Sequence, residues 1–76
     1  MHPGEHWREL MSIRGVSQLW VAGQMGVSQQ HLNRIVRGVS LPSVRHVVAF
    51  AQVVEFSPEL LWHLQAVYEL DAELGG

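Results

Sequence analysis

Residues 18–35 read QLWVAGQMGVSQQHLNRI, and the spacing of their small and apolar side chains decides the fold. Counted from Gln18, alanine stands at the fifth position (Ala22) and glycine at the ninth (Gly26). A small residue is needed where a second helix crosses close above the first, and glycine allows the turn between them. The pattern predicts two short helices that cross at a steep angle. Apolar residues predicted to join them are Val21, Met25, Val27, Leu32 and Ile35.

The rest of the chain predicts three further helices and no strand. Residues 4–14 place apolar side chains at helical spacing and stop at Gly15. Residues 44–54 repeat apolar side chains every three or four positions, although their valines would also suit a strand. Ser-Pro-Glu at 57–59 is a strong helix start, with serine as N-cap and proline in the first turn. It predicts a C-terminal helix over about 57–72.

Length and composition fit one small helical domain. The chain has 76 residues, of which 47% are apolar, and it has no cysteine for disulfides or thiolate metal sites. It shows neither a signal peptide nor an apolar run long enough to span a membrane. We therefore expect a cytoplasmic, all-α, compact five-helix domain over residues 1–76, with a helix-turn-helix core at 17–38.

Charge is distributed unevenly along the chain, which has a formal net charge of -2. Five arginines against two glutamates give +3 before residue 46, whereas five acidic residues and no base give -5 after it. An anionic ligand should be attracted to the first part and repelled by the second. The alternative is that the charge of a small domain is uneven without any functional cause.

The outward face of the second helix of the core is polar but carries few charges. In helix-turn-helix proteins this helix enters the major groove of DNA, where glutamine and asparagine pair with adenine and arginine with guanine. An ordinary solvated face is the alternative, but such faces usually carry Glu and Lys, which are absent from 26–38. We therefore predict sequence-specific binding to double-stranded DNA. The predicted face consists of Ser28, Gln29, Gln30, Asn33, Arg34 and Arg37.

At these residues the chain resembles the Cro/repressor-like (Xre-type) helix-turn-helix family, on the segment VSQLWVAGQMGVSQQHLNRIVRG. The flanks HPGEHWREL and SPELLWHLQAVYEL are similar to the HigA antitoxin branch of that family. The resemblance implies a lambda-repressor-like five-helix domain that dimerises, binds a palindromic operator, represses its own operon and often binds a toxin encoded beside it.

The resemblance also implies roles for individual residues. Gln18 and Ser28 correspond to phosphate contacts, and Arg37, Ser40 and Arg45 to clamps on the DNA backbone. The base-reading positions correspond to Gln29, Gln30, Asn33 and Arg34.

Exposed apolar residues suggest protein contacts. Leu19 and Trp20 either form a partner patch or fold over the first helix. Trp62 lies off the apolar stripe of the last helix and is predicted to anchor a dimer, with bare surface as the alternative.

Metal binding and catalysis are not expected. His2 and His6 have helical spacing, but the five histidines are scattered and zinc needs three or four convergent ligands. No nucleophile elbow or phosphate loop is present. We expect no enzyme activity, no metal and no cofactor.

The favoured function is therefore a dimeric transcriptional repressor, either a HigA-like antitoxin or a phage Cro or immunity regulator. The alternative is a protein-interaction module that neutralises a toxin or another regulator through Leu19, Trp20 and Trp62, with little DNA binding of its own.

Overall fold

The structure is a computed structural model that describes residues 1–75, which form five α-helices and contain no strand. It confirms the predicted all-α, five-helix fold. Gly76, the last residue of the predicted domain, lies outside the described residues. The helices are α1 (Pro3–Arg14), α2 (Gln18–Met25), α3 (Gln29–Val36), α4 (Val44–Val54) and α5 (Pro58–Glu73).

Side-chain caps set the beginnings of all five helices. Nδ1 of His2 accepts a hydrogen bond from the N–H of Gly4 at 2.9 Å and caps α1. Each of the other caps is a serine whose Oγ accepts from the backbone N–H three residues later, at 3.0 to 3.3 Å. Gly15 and Gly26 end α1 and α2 in the left-handed conformation, with φ of 68° and 75°. The capping serines are Ser17, Ser28, Ser43 and Ser57.

Helix α3 ends two residues before Gly38, the last residue of the predicted helix-turn-helix core. The helix stops at Val36, and Gly38 takes a φ of 81° in the turn that follows. There the N–H groups of Val39 and Ser40 both donate to the carbonyl of Arg34, at 2.9 and 3.3 Å. The last helix, predicted over about 57–72, occupies Pro58–Glu73.

The core is built around two stacked aromatic rings. Trp7 of α1 and Phe50 of α4 lie with ring centroids 4.0 Å apart and planes within 5° of parallel, and both are fully buried. Leu32 and Ile35 bury the inner face of α3 against the same core. Burial of such side chains stabilises the fold by about 1.5–3 kcal/mol each.

The first turn of α1 is pressed against the end of α3. A Cβ added at Gly4 would fall on the carbonyl oxygen of Ile35, so no other residue fits without moving one helix. The ring of His2 meets Tyr68 of α5 edge-on, with centroids 5.3 Å apart. The His-Pro-Gly-Glu segment therefore seats α1 against both α3 and α5.

Two long-range hydrogen-bonding side chains fix the ends of α4. The buried amide of Gln65 donates to the carbonyl of Pro42 at 2.9 Å, which ties the loop before α4 to α5. Arg14 donates from Nε to the carbonyl of Val54 at 2.7 Å and from Nη2 to that of Glu55 at 3.1 Å. It satisfies carbonyls that the end of a helix leaves unpaired.

We predict that Gly23→Ala stabilises the protein. Gly23 lies within α2 and is exposed, and a Cβ placed there meets no atom within 4 Å. Because glycine in a helix interior is less favourable than alanine by about 1 kcal/mol, the free energy of unfolding should rise by about that amount. Urea denaturation followed by circular dichroism measures the change.

Gly4→Ala is the matched comparison, since it makes the same chemical change in α1. Overpacking against Ile35 should lower the free energy of unfolding by about 1–3 kcal/mol. Equal effects of the two substitutions would contradict the packing described for Gly4.

Candidate nucleic-acid interface

The turn between α2 and α3 is closed by backbone hydrogen bonds. The N–H of Gly26 donates to the carbonyl of Gly23 at 3.3 Å, and that of Val27 donates to the carbonyl of Ala22 at 3.0 Å. Ala22 is buried where the two helices pack together. No side-chain atom lies near the missing Cβ of Gly26, so its positive φ, rather than crowding, requires glycine.

The outer face of α3 is free of contacts with the core. Leu32, Ile35 and Val36 are buried, and the residues predicted to meet DNA are turned away from them. Direct contact of these side chains with bases stays a prediction. The exposed members of the predicted face are Ser28, Gln29, Gln30, Arg34 and Arg37.

Asn33 differs from the other predicted base readers because it is already hydrogen-bonded. Its Nδ2 donates to Oε1 of Gln18 at 3.2 Å, and both residues are half-buried. The bond joins the first residue of α2 to the middle of α3. The bond links Gln18, a predicted phosphate contact, to Asn33, a predicted base contact. It leaves Oδ1 of Asn33 available as an acceptor.

The start of α3 presents hydrogen-bond donors to solvent. Oγ of Ser28 is occupied as an acceptor by the N–H of His31, so its own hydroxyl hydrogen is what remains for a phosphate. The N–H groups of Gln29 and Gln30 belong to the first turn of the helix, which has no intrahelical partners for them. A helix start of this kind suits a phosphate oxygen.

The residues predicted to clamp the DNA backbone lie at the end of α3 and in the segments that follow it. Arg37 caps its C-terminal end, and Ser40 is half-buried in the turn that follows. Arg45 is exposed in the first turn of α4. The three residues thus lie at the end of α3, in the turn after it and at the start of α4, and their contact with phosphates stays a prediction.

The order of charges along the chain suggested that the five arginines form one positive region. In the fold they do not. Arg14 lies on α4's C-terminal carbonyls, and Arg8 lies on the exposed side of α1 among Glu5 and Glu9. Only Arg34, Arg37 and Arg45 flank the predicted DNA-binding surface. The positive field there comes from three side chains rather than five.

Two histidines join α3 to α4 beside this surface. The rings of His31 and His46 lie 4.8 Å apart between centroids, and Nδ1 of His46 is 3.1 Å from Oγ of Ser43. Burial lowers the pKa of His46, and the neighbouring His31 and Arg45 lower it further. His31 therefore packs against α4 as well as bordering the predicted DNA-binding face.

Comparison with known proteins decides the family. Residues 4–64 match the family of helix-turn-helix domains. The chain belongs to the helix-turn-helix domain family. Among solved structures it is similar to the restriction-modification controller protein C.AhdI from Aeromonas hydrophila, with a TM-score of 0.74 and 25% sequence identity. That match covers 79% of this chain and 91% of C.AhdI. Comparison with curated proteins gives no match.

Family membership and the likeness to C.AhdI together support a DNA-binding transcriptional regulator as the function of this helix-turn-helix protein. Within residues 1–75 no helix is long and apolar enough to cross a membrane. In the same range no three His, Asp or Glu side chains converge as metal ligands would.

The predicted partner residues are exposed. Leu19 is 66% exposed and Trp20 48%, so α1 does not bury them. Trp62 is 38% exposed on α5. Val44 and Val48, one turn apart on α4, are also exposed, although both belong to the apolar repeat that predicted the helix over 44–54.

We predict that acid destabilises the protein partly through His46. Its lowered pKa means that the folded protein takes up a proton there less readily than the unfolded chain does. Stability should therefore fall as the pH decreases through about 6.5, the ordinary pKa of histidine. His46→Gln should lose less stability than the wild type between about pH 7.5 and 5.5, measured by urea denaturation.

His63→Gln, on the exposed side of α5, serves as the control. A pH profile for His46→Gln that coincides with the wild type and the control would show that His46 does not contribute. His2 should leave some pH dependence in every variant, because burial lowers its pKa as well.

Proposed function

We propose that this protein is a homodimeric transcriptional repressor that acts in the cytoplasm on a palindromic DNA operator. The observation that carries the proposal is the outer face of α3, where Gln29 and Gln30 in the first turn and Arg34 in the last turn are exposed and free of the core. The whole chain acts as one binding domain, and it needs neither a cofactor nor a metal and catalyses no reaction.

The contacts divide into base reading and phosphate binding. Gln29, Gln30 and Arg34 read base edges in the major groove, together with the free Oδ1 of Asn33. Phosphates are bound around them, and those contacts position the domain without reading sequence. The phosphate-binding residues are Gln18, Ser28, Arg37, Ser40 and Arg45.

A dimer is supported by exposed apolar side chains on α4, on α5 and in the loop before α4. They are here called the α4–α5 face and are Leu41, Val44, Val48 and Trp62. These helices fold back on each other through residues 55–57, and the bond from Gln65 to Pro42 closes the other end. A dimer through this face is proposed to pair two α3 helices on half-sites about 34 Å apart.

Two finer versions of the proposal differ in the genes that are regulated. The His-Pro-Gly-Glu segment favours a HigA-like antitoxin that represses its own operon and binds a toxin. The similarity to C.AhdI favours regulation of restriction-modification genes instead. A phage Cro or immunity regulator would have the same DNA-binding surface. The genes beside the coding sequence separate these versions: a small toxin gene, restriction and modification genes, or phage genes.

The alternative is a protein-interaction module with little DNA binding of its own. It is favoured by the exposure of Leu19 and Trp20 on α2. Trp20→Ala would then abolish partner binding in a protein that shows no operator affinity.

We predict that replacing both Gln29 and Gln30 with Ala removes sequence-specific binding. Each good bidentate contact discriminates against the wrong base by about 1–3 kcal/mol, so operator affinity should fall by at least about tenfold. Both side chains are exposed, so stability should change little. Fluorescence anisotropy with operator DNA and with scrambled DNA measures the loss. Undiminished preference for the operator would overturn the assignment of α3 as the reading helix.

Arg37→Ala should weaken binding similarly on all DNA sequences. Loss of one phosphate contact should reduce the slope of log affinity against log salt concentration by about 1. Arg8→Ala makes the same change of charge on the exposed side of α1 and should leave that slope unchanged. A loss confined to the operator sequence, or an equal effect of both substitutions, would contradict the role given to Arg37.

Val48→Glu should convert the dimer into a monomer, because it places a charge in the middle of the α4–α5 face. Sedimentation velocity measures the change, and circular dichroism checks that the exposed position leaves the fold intact. Val67 is similarly exposed but lies on the opposite side of α5. Val67→Glu is therefore the control, and this variant should remain dimeric. A monomeric wild-type protein would refute the proposed dimer.

A further inference from the structure

A second apolar surface lies between α1 and α5, and none of the residues assigned to DNA binding or to the dimer lines it. A cavity of about 170 Å³ beside Phe56 opens near the C-terminal end of α1. A second one of about 530 Å³ continues along α5 to Ala72. His6 and Leu64 line both, so the two cavities adjoin, and together they are here called the α1–α5 groove.

The groove has an apolar floor with exposed apolar walls. Leu61 is buried and Leu64 half-buried at its floor. Ile13 is 67% exposed on the α1 wall, and Val67 is 44% exposed on the α5 wall. Single exposed apolar side chains are common on proteins, but several along one groove mark a binding surface.

The rim of the groove is acidic. Glu9 lines it from α1 and Asp71 from α5. Glu5 and Arg8 stand beside Glu9 on the outer side of α1, and the N-terminal residue Met1 lines the groove together with Asp71. Three carboxylates therefore stand against the guanidinium of Arg8 and the amino group of Met1, which leaves a net charge of -1 at the rim. A rim of net negative charge disfavours phosphate, which argues against nucleic acid as the occupant.

The same charges argue against a second copy of this chain. In a two-fold symmetric contact the same patch meets itself, so the acidic rim of one copy would face the acidic rim of the other. Like charges placed across an interface suppress association. An occupant with positive charges at its edges is attracted instead.

We propose that the α1–α5 groove binds an amphipathic helix of another protein, with aliphatic residues along one face and lysine or arginine at its edges. A helix laid in an apolar groove is a common mode of recognition, in which anchors at helical spacing enter the groove. The occupant binds away from the outer face of α3, so a dimer on DNA keeps its groove open. The inference does not depend on the proposed operator contacts.

Two synthetic helical peptides test the proposal. One carries leucines along one face and lysines elsewhere, and its twin carries glutamates in place of the lysines. Addition of the lysine peptide to the ¹⁵N-labelled full chain should shift the amide signals of groove residues on α1 and α5. The glutamate twin should bind at least about tenfold more weakly, measured by fluorescence anisotropy at low salt.

Matched variants locate the binding. Ile13→Asn should weaken lysine-peptide binding at least about fivefold, whereas Leu19→Asn should not, although Leu19 is equally exposed on α2. Replacing Glu9 with Gln and Asp71 with Asn together should reduce the preference for the lysine peptide over its twin. Operator binding measured in parallel should be the same in all these variants.

Several results would overturn the proposal. They are equal binding of the two peptides, equal effects of Ile13→Asn and Leu19→Asn, or signal shifts confined to the α4–α5 face. Absence of binding up to about 1 mM peptide would also overturn it. Groove signals that move with protein concentration in the absence of peptide would identify a second copy as the occupant.

Discussion

An eight-residue helix is not stable alone in water, because the cost of its first turn is recovered over too few hydrogen bonds. α3 therefore exists only because Leu32 and Ile35 are buried against the rest of the molecule. This constraint explains the composition of its outer face. Since packing stabilises the helix, its outer face needs no pairs of Glu and Lys to hold it. The exposed positions can therefore carry Gln29, Gln30 and Arg34, whose side chains offer hydrogen-bonding groups.

The elements that hold α3 come from distant parts of the chain. Gly4 lets the first turn of α1 press on the carbonyl of Ile35, and the Ser17-capped α2 crosses at Ala22. Gln65 fixes the loop that leaves α3 by its bond to Pro42. The position of the predicted DNA-binding surface thus depends on contacts from both ends of the sequence.

The sequence predicted the helices well because their signals are local. Serine caps, glycines after helices and apolar spacing lie within a few residues of the feature they specify, as Ser57 and Gly26 illustrate. What it missed depends on tertiary contacts. His2 was considered with His6 as a metal ligand, whereas it caps α1. The pairing of Gln18 with Asn33 joins residues fifteen positions apart, and no local pattern specifies it.

The charged residues also show that tertiary contacts limit what the sequence predicts. Net charge along the chain separates a positive part from a negative part, but the fold regroups these charges. Arg14 leaves the positive group by binding the carbonyls at the end of α4. Glu9 and Asp71 line adjoining parts of the α1–α5 groove, although they lie at opposite ends of the sequence. The arginines on and after α3, which are Arg34, Arg37 and Arg45, stay exposed, so a chain of net charge -2 can still carry the predicted phosphate contacts.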